Sequence, residues 1–286
     1  MLTTKRKVFL AGLSQKLIAN VRSTVGKGDK VNVRRRGLRW ELDLSEGIDF
    51  SVFLVGAFEH STAKTLARLV RHGDVVLDIG ANIGAHTLGI AKSVGSSGKV
   101  FAIEPSDFAF TKLLRNLSLN PELENRVHAS QLFFSDGAIT SPPREIHASW
   151  PLQSDASVHP KHRGRLVSTG NAKIETLDCF LRRQELTRLD VIKIDVDGHE
   201  VPVLRGGFET LCRFRPILVM ELAPYLHEET NNRFAELVEL LKTSGYSLQN
   251  ADNGKPVPLD VDQLQAFIPD GASMNVVAQA NARIDR

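Results

Sequence analysis

From Val75 onward the chain alternates between short unbroken apolar runs and stretches in which apolar residues return every three to four positions. The runs "VVLDIG", "KVFAIEPS", "RVHASQLFFSD", "RLDVIKIDVDG" and "RPILVMEL" read as strands. Between the first three, "GAHTLGIAKSVG" and "SDFAFTKLLRNLSLN" read as helices, the second closed by Pro121. "ETNNRFAELVELLKTSG" is a strong amphipathic helix that uses Phe234, Leu237, Val238 and Leu241. "YSLQN" and "MNVVAQA" follow as strands with no helical pattern between them. Continuous apolar strands joined by helices predict an α/β fold, a mostly parallel sheet covered by helices on both faces. A final antiparallel strand is expected to close its edge.

Ahead of Val75 the period changes. Leu38, Trp40, Leu42 and Leu44 alternate with Arg39, Glu41 and Asp43, which is a half-buried strand. The run Arg34, Arg35, Arg36 followed by Gly37 suggests a turn between two strands, its charges a solvated hairpin tip rather than an anion site. "STAKTLARLVRHGD" predicts a short helix with Ser61 as N-cap and Gly73 as stop. In the opening segment Leu10, Leu13, Leu17 and Val21 fall near one helical face, which reads as a helix packed on its own domain. A membrane-surface helix and a homodimer contact are its other readings. The apolar run Val8 to Leu10 is too brief for a membrane span, and the segment lacks a signal-peptide core, so a cytoplasmic protein is expected.

This gives an N-terminal helix and strand extension over residues 1–60 and a main domain over 61–286. A Pro-, Ser-, His- and Arg-rich stretch interrupts the rhythm after Asp136. Its part 137–172 is read as an insertion beside the ligand site, since ligands bind at the C-terminal edge of such sheets and the insertion starts there.

Composition narrows little. With 286 residues, 42% hydrophobic, the chain can bury a large core. Its 36 Lys and Arg against 33 Asp and Glu leave a net charge of +3, too small to imply nucleic acid as a partner. Cys179 and Cys212 are too few and too distant for a disulfide framework, and read as two buried thiols.

The stretch "VVLDIGANIGAHTLGIAKSVG" has the strand, glycine turn and helix of a nucleotide-binding unit. Against the dinucleotide fingerprint G-x-G-x-x-G it keeps Gly80 but puts Asn82 and Ala85 at the other two glycine positions. Asp78 would also oppose a pyrophosphate at the helix N-terminus. S-adenosylmethionine has no phosphate and carries an ammonium and a sulfonium, so a carboxylate at this strand end attracts it. Gly80 and Gly84 allow close backbone approach, and Asn82 tolerates unusual turn dihedrals or offers an amide. Glu104, ending the second strand, suits the ribose hydroxyls, and Asp136, ending the third, is a candidate acceptor for the adenine amino group.

With these residues in view the chain resembles the FkbM-type S-adenosylmethionine-dependent methyltransferases. "GDVVLDIGANIGAHTL", "VIKIDVDGHEVPVLRGG" and "RPILVMEL" carry the likeness, which extends over roughly residues 31 to 225 through "GLRWELDLSEGIDFSVFLVGAFE" and "IETLDCFL". The resemblance implies a class I (Rossmann-like) methyltransferase fold with a seven-stranded sheet, and methylation of a hydroxyl on a small molecule such as a sugar or secondary metabolite. N-methylation, or a cofactor-binding module that has lost transfer, are the other readings.

In "VIKIDVDGHE" the end of the strand carrying Asp195 faces the methyl group in that implied arrangement. Asp195 or His199 is the expected proton acceptor, with Glu200 and Glu221 orienting the acceptor or the base. Asp197 and Glu200 also suit a helix start. These side chains could gather around a divalent ion, but no strict ligand spacing supports one, and no metal is assigned. His147, His159 and His162 read as surface residues; Trp150 suits packing or stacking on the acceptor equally.

Overall fold

The computed structural model describes residues 4–24, 26–152, 158–159, 164–229 and 234–281, with the backbone alone for 4–11, 13, 228 and 229. Helix α1 (Thr4–Thr24) precedes an antiparallel hairpin of β1 (Lys30–Arg35) and β2 (Leu38–Asp43). Its two-residue turn is formed by Arg36 at φ 49° and Gly37 at φ 80°, the left-handed pair that matches the twist of the flanking strands. The arginines at this tip fasten it: Arg35 Nε donates to Phe53 O at 2.6 Å and Arg36 lies 3.0 Å from His60 Nδ1. Helices α2 (Gly47–Val55) and α3 (His60–Leu69) follow. Ser61 does not cap α3, because the helix already begins at His60; Glu59 is its N-cap residue.

The central layer is built from β3 (Val75–Ile79), α4 (Thr87–Val94), β4 (Lys99–Ile103), α5 (Asp107–Ser118) and β5 (Val127–Ser130). The expected third strand breaks at Gln131, so that β6 (Leu132–Phe134) leaves the sheet and pairs in parallel with β9 (Lys173–Glu175). Between them β7 (Glu145–Ser149) and β8 (Arg165–Ser168) form an antiparallel pair inside the insertion. Then come α6 (Leu177–Arg183), β10 (Val191–Ile194), α7 (Glu200–Arg205), α8 (Phe208–Phe214), β11 (Ile217–Leu222), α9 (Pro224–Glu229) and α10 (Phe234–Thr243). The chain closes with β12 (Tyr246–Asn250), β13 (Pro256–Val257), α11 (Val261–Phe267) and β14 (Met274–Ala280).

The main sheet runs β13-β12-β14-β11-β10-β3-β4-β5. Strands β5, β4, β3, β10 and β11 are parallel, while β14 lies antiparallel between β11 and β12. This is the Rossmann-like order of class I methyltransferases, seven strands plus the two-residue β13. The last strand is therefore inserted, not marginal, and the short β13 holds the edge it was expected to close. Helix α11 was also not expected; Asp260 caps it by accepting the Gln263 amide at 3.0 Å.

Strand parity divides the core in two. Leu77, Ile79, Ile192 and Ile194 pack with α6, α7 and α10 on one face. Val76, Val100, Val191 and Val219 share the other with α4, α5, α2 and the β1–β2 hairpin, through Trp40, Leu42, Leu88 and Leu113. The extension thus shares one core with the sheet. Asn116 on α5 and Asn120 just beyond it tie down the hairpin's free edge, accepting the Glu41 and Arg39 amides at 2.9 Å each. On α1, Leu17 and Val21 are 67% and 60% exposed, while Ile18 packs against the core. The side chains of Leu10 and Leu13 lie outside the described residues. No helix among the described residues is long and apolar enough to cross a membrane. Cys179 and Cys212 are both exposed rather than buried, each on the outer side of a short helix.

Candidate functional site

Parallel strands present their C-terminal ends together, and above them lies a cavity of about 610 Å³. That volume is in the range of a cofactor or small-molecule site. Its floor is the glycine turn after β3, where Gly80 and Asn82 take left-handed conformations at φ 77° and 48°. A Cβ on Gly80 would stand 1.8 Å from Asp195 O, so glycine is required there for the β10 loop to close on the turn. Asn82 is spent on structure: its amide donates to Glu104 Oε2 at 2.9 Å, its Oδ1 accepts the Ile83 amide, and its Nδ2 reaches Ala148 O at 3.1 Å. The last bond draws the insertion over the cavity. Glu46 secures the same roof by accepting the Ser149 hydroxyl at 2.9 Å and the Trp150 amide at 3.1 Å.

Glu104 enters the cavity from the end of β4. Its carboxylate also accepts the Ser106 amide and hydroxyl, and burial pushes its pKa up against the pull of those bonds. On the opposite wall stand Asp195, Asp197, His199 and Glu221, with Glu59 from the loop before α3. Burial, then the neighbouring Asp195 and Glu200, drives the Asp197 pKa well above the ordinary carboxylate range. Burial, then Glu59 and Asp195, does the same to Glu221. The His199 imidazole is held below its ordinary value by burial, and its ring meets Phe133 edge-on at 5.5 Å. Among the described residues no group of three or more His, Cys, Asp or Glu side chains is arranged to hold a metal ion.

Four expected site residues do not reach the cavity. Asp78 is 0% exposed; its Oδ2 accepts the Thr87 hydroxyl at 2.6 Å and its Oδ1 lies 3.4 Å from Lys193 Nζ. Its charge is therefore answered inside the protein. Gly84 packs inward, where a Cβ would stand 2.8 Å from Leu113 Cδ1. Asp136 pairs with Arg205 outside the cavity because β6 has left the sheet; its pKa falls despite burial, through the Ala138 amide and Arg205. Glu200 is buried at the start of α7, accepting the Gly198 amide and lying 3.3 Å from His227 Nε2, with burial raising its pKa to about 7.

Other residues were not foreseen. Lys193 is 3% exposed and bridges Asp78 and Asp195 at 3.4 Å each while donating to Gly80 O at 2.8 Å. Burial lowers its pKa, but the two carboxylates outweigh that and hold the ammonium. A lysine inside the apolar run "VIKI" was the signal available. His86, two residues past Gly84, lines the cavity, as do Glu59 and Tyr225. From the insertion, His147 and Trp150 line it too, whereas His162 lies outside the described residues.

Comparison with known proteins bears on this site. The family described as the methyltransferase FkbM domain matches residues 78–248, a match that starts later and ends later than the sequence blocks suggested. The hexuronic acid methyltransferase AglP of Haloferax volcanii is 29% identical over 163 residues, 56% of this chain and 61% of that protein. The methyltransferase sdnD of Sordaria araneosa is 27% identical over 158 residues, 46% and 59% of the two chains. The match thus spans about three-fifths of the length of these two relatives. The crystal structure of an FkbM methyltransferase from Methylobacillus flagellatus superimposes with a TM-score of 0.45 at 16% identity, covering 78% of this chain and 48% of that one.

Proposed function

We infer that this chain, which belongs to the FkbM methyltransferase family, moves a methyl group from S-adenosylmethionine to a hydroxyl oxygen of a small molecule such as a sugar. The observation that carries the reading is the pairing, across one cavity, of Glu104 and the Gly80–Asn82 turn with Asp195, His199 and Glu221. S-adenosylmethionine supplies an electrophilic methyl group on a cationic sulfur. The cavity suits it in size, and Glu59, Glu104, Asp195, Asp197 and Glu221 line the cavity alongside Lys193. The carboxylate expected of Asp78 is thus left to other acids of the cavity, Asp195 among them. The turn would offer its backbone, and Glu104 a carboxylate for the ribose hydroxyls.

The chain's remaining work is to hold the acceptor oxygen in line and take its proton. Asp195 and His199 are groups on the wall able to accept it. Burial and the neighbouring acids push the Glu221 pKa up, which favours the form that can donate to an acceptor hydroxyl. The β7–β8 pair lines the cavity, in keeping with a role for residues 137–172 in acceptor choice. The name of the Haloferax relative, a hexuronic acid methyltransferase, supports a sugar acceptor. The carboxylate-rich wall also suits an amine, which keeps N-methylation as the second reading. Incubation with methyl-labelled S-adenosylmethionine and extracts of the source organism tests this: label on an oxygen supports the reading, and label on a nitrogen selects the second.

A further inference from the structure

Charge is unevenly placed along this chain. Residues 1–40 hold eleven Lys and Arg against one acid, Asp29, a net charge of +10, whereas residues 41–286 hold 25 Lys and Arg against 32 Asp and Glu, a net charge of −7. The overall value of +3 conceals that division, and a basic segment set against an acidic remainder points to a polyanionic partner. Lys16, Lys27, Lys30 and Arg34 are exposed. Arg22, Arg35 and Arg39 donate to the carbonyl oxygens of Gly28, Phe53 and Leu119, contacts that fix a guanidinium without cancelling its charge.

Apolar surface accompanies the charge. One side of α1 faces the domain: a Cβ on Gly12 would stand 3.1 Å from Leu152 O, Gln15 is buried, and Ile18 packs against the core. Leu17 and Val21, one turn apart, stay exposed, and the spacing of the sequence sets Leu10 and Leu13 in the same stripe. Helix α1 packs on α2, which ends in a second exposed pair, Leu54 and Val55. Arg36 of the hairpin tip donates to Val55 O at 3.5 Å, so this apolar end also has a cation beside it. Val55 lines the cavity as well, which sets the end of α2 at its rim.

Exposed leucines among cations select one occupant. A second copy of the chain would bring two strongly positive segments together, and they would repel. A nucleic acid would reward the charge but not the leucines. An anionic lipid surface rewards both, since its headgroups meet Lys and Arg while the acyl boundary takes Leu and Val. We propose that α1, with the end of α2, docks this protein on an anionic membrane surface, lying in the plane of the interface and not crossing it. The docking goes beyond methyl transfer and depends on neither the donor nor the acceptor named above.

Vesicle co-sedimentation of the full chain tests it, with vesicles of phosphatidylcholine alone and of phosphatidylcholine mixed equally with phosphatidylglycerol. The parent should bind the mixed vesicles, ignore the neutral ones, and dissociate as salt is raised. Leu17→Gln with Val21→Gln, both at exposed positions, should weaken binding roughly tenfold or more. Lys16→Gln with Lys30→Gln should weaken it by about fivefold for each charge removed. A parent that does not bind the mixed vesicles, or binds both kinds equally, overturns the proposal, as does undiminished binding by Leu17→Gln with Val21→Gln. Binding of an RNA or DNA oligonucleotide without binding of vesicles overturns it in favour of a nucleic acid. A dimer that Leu17→Gln with Val21→Gln dissolves, again without vesicle binding, overturns it in favour of a second copy. Should the doubly substituted chain not fold, amide hydrogen exchange of the parent decides: mixed vesicles should protect residues 14–24 and leave the central sheet unchanged, and no added protection in α1 overturns the proposal.

Discussion

Lys193 stands directly beside Asp78 on the neighbouring parallel strand, and its ammonium lies 3.4 Å from Asp78 Oδ1 with both side chains buried. Parity explains the pairing: Asp78 and Lys193 project to the same face of the sheet, and Asp195, one pleat beyond Lys193, completes the bridge at 3.4 Å. The acid before the glycine turn is thus a structural charge, and Asp195 is held at the cavity wall by the same lysine.

Replacing Lys193 by Met should leave Asp78 buried and uncompensated. The expected cost is about 3–5 kcal/mol, read as a lowered urea midpoint. A Lys193→Met protein as stable as the parent would show that Asp78 finds another partner.

Gly80→Ala should destabilise by more than the roughly 1–2 kcal/mol of a left-handed non-glycine residue, because the new Cβ also meets Asp195 O. Thermal unfolding measures the loss, and affinity for S-adenosylhomocysteine should fall with it as the turn and the β10 loop separate.

Asn82→Ala removes the bond to Ala148 O that holds the insertion down. Amide hydrogen exchange should rise selectively in residues 145–149 and 164–168, while β3 and β4 keep their protection. Uniform change, or none, would mean that Glu46 alone secures the roof.

Asp195→Ala and His199→Ala separate proton transfer from binding. The residue that accepts the proton should lose about 10²–10⁴-fold in turnover with little change in S-adenosylhomocysteine affinity. Glu104→Ala should show the reverse, weaker binding of the nucleoside with turnover at saturation less affected.

Glu200 gives a pH signature. Burial raises its pKa from 4.5 to about 7 in the folded chain, so the native state holds its proton more firmly than the unfolded state does. Its stabilising contribution is complete below pH 4.5 and is lost as pH rises through 7, a span of up to about 3 kcal/mol. His227, lowered to about 4 by burial and then His199, works in the opposite sense and loses its contribution as pH falls through 4. The stability of the parent relative to Glu200→Gln should therefore fall between pH 4.5 and 7 in denaturant titrations. A flat difference would remove Glu200 as its source.

Periodicity and turn chemistry were enough, from the amino-acid sequence alone, to reveal the parallel strands, a turn between two strands near the arginine run and Gly37, and the glycine turn after β3. They are local properties of backbone and side chain, legible wherever a strand is apolar on both faces. The same local reading put Glu104, Asp195 and Glu221 at or near strand ends and His199 at a helix start just beyond one, because a polar residue that ends an apolar strand must lie at the sheet's C-terminal edge. It failed where the outcome depends on distant segments. Whether Asp78 faces a ligand or a lysine is decided by which strand lies beside β3, and β10 arrives from more than a hundred residues away. Asp136 left the site because β6 pairs with β9 instead of continuing β5. Strand β14 inserts between β11 and β12, a choice among edges that no local pattern encodes. The chain's own pattern determined which residues end strands; only the packing of remote strands decided which of those ends share a cavity, because a buried charge takes whatever partner the fold brings within reach.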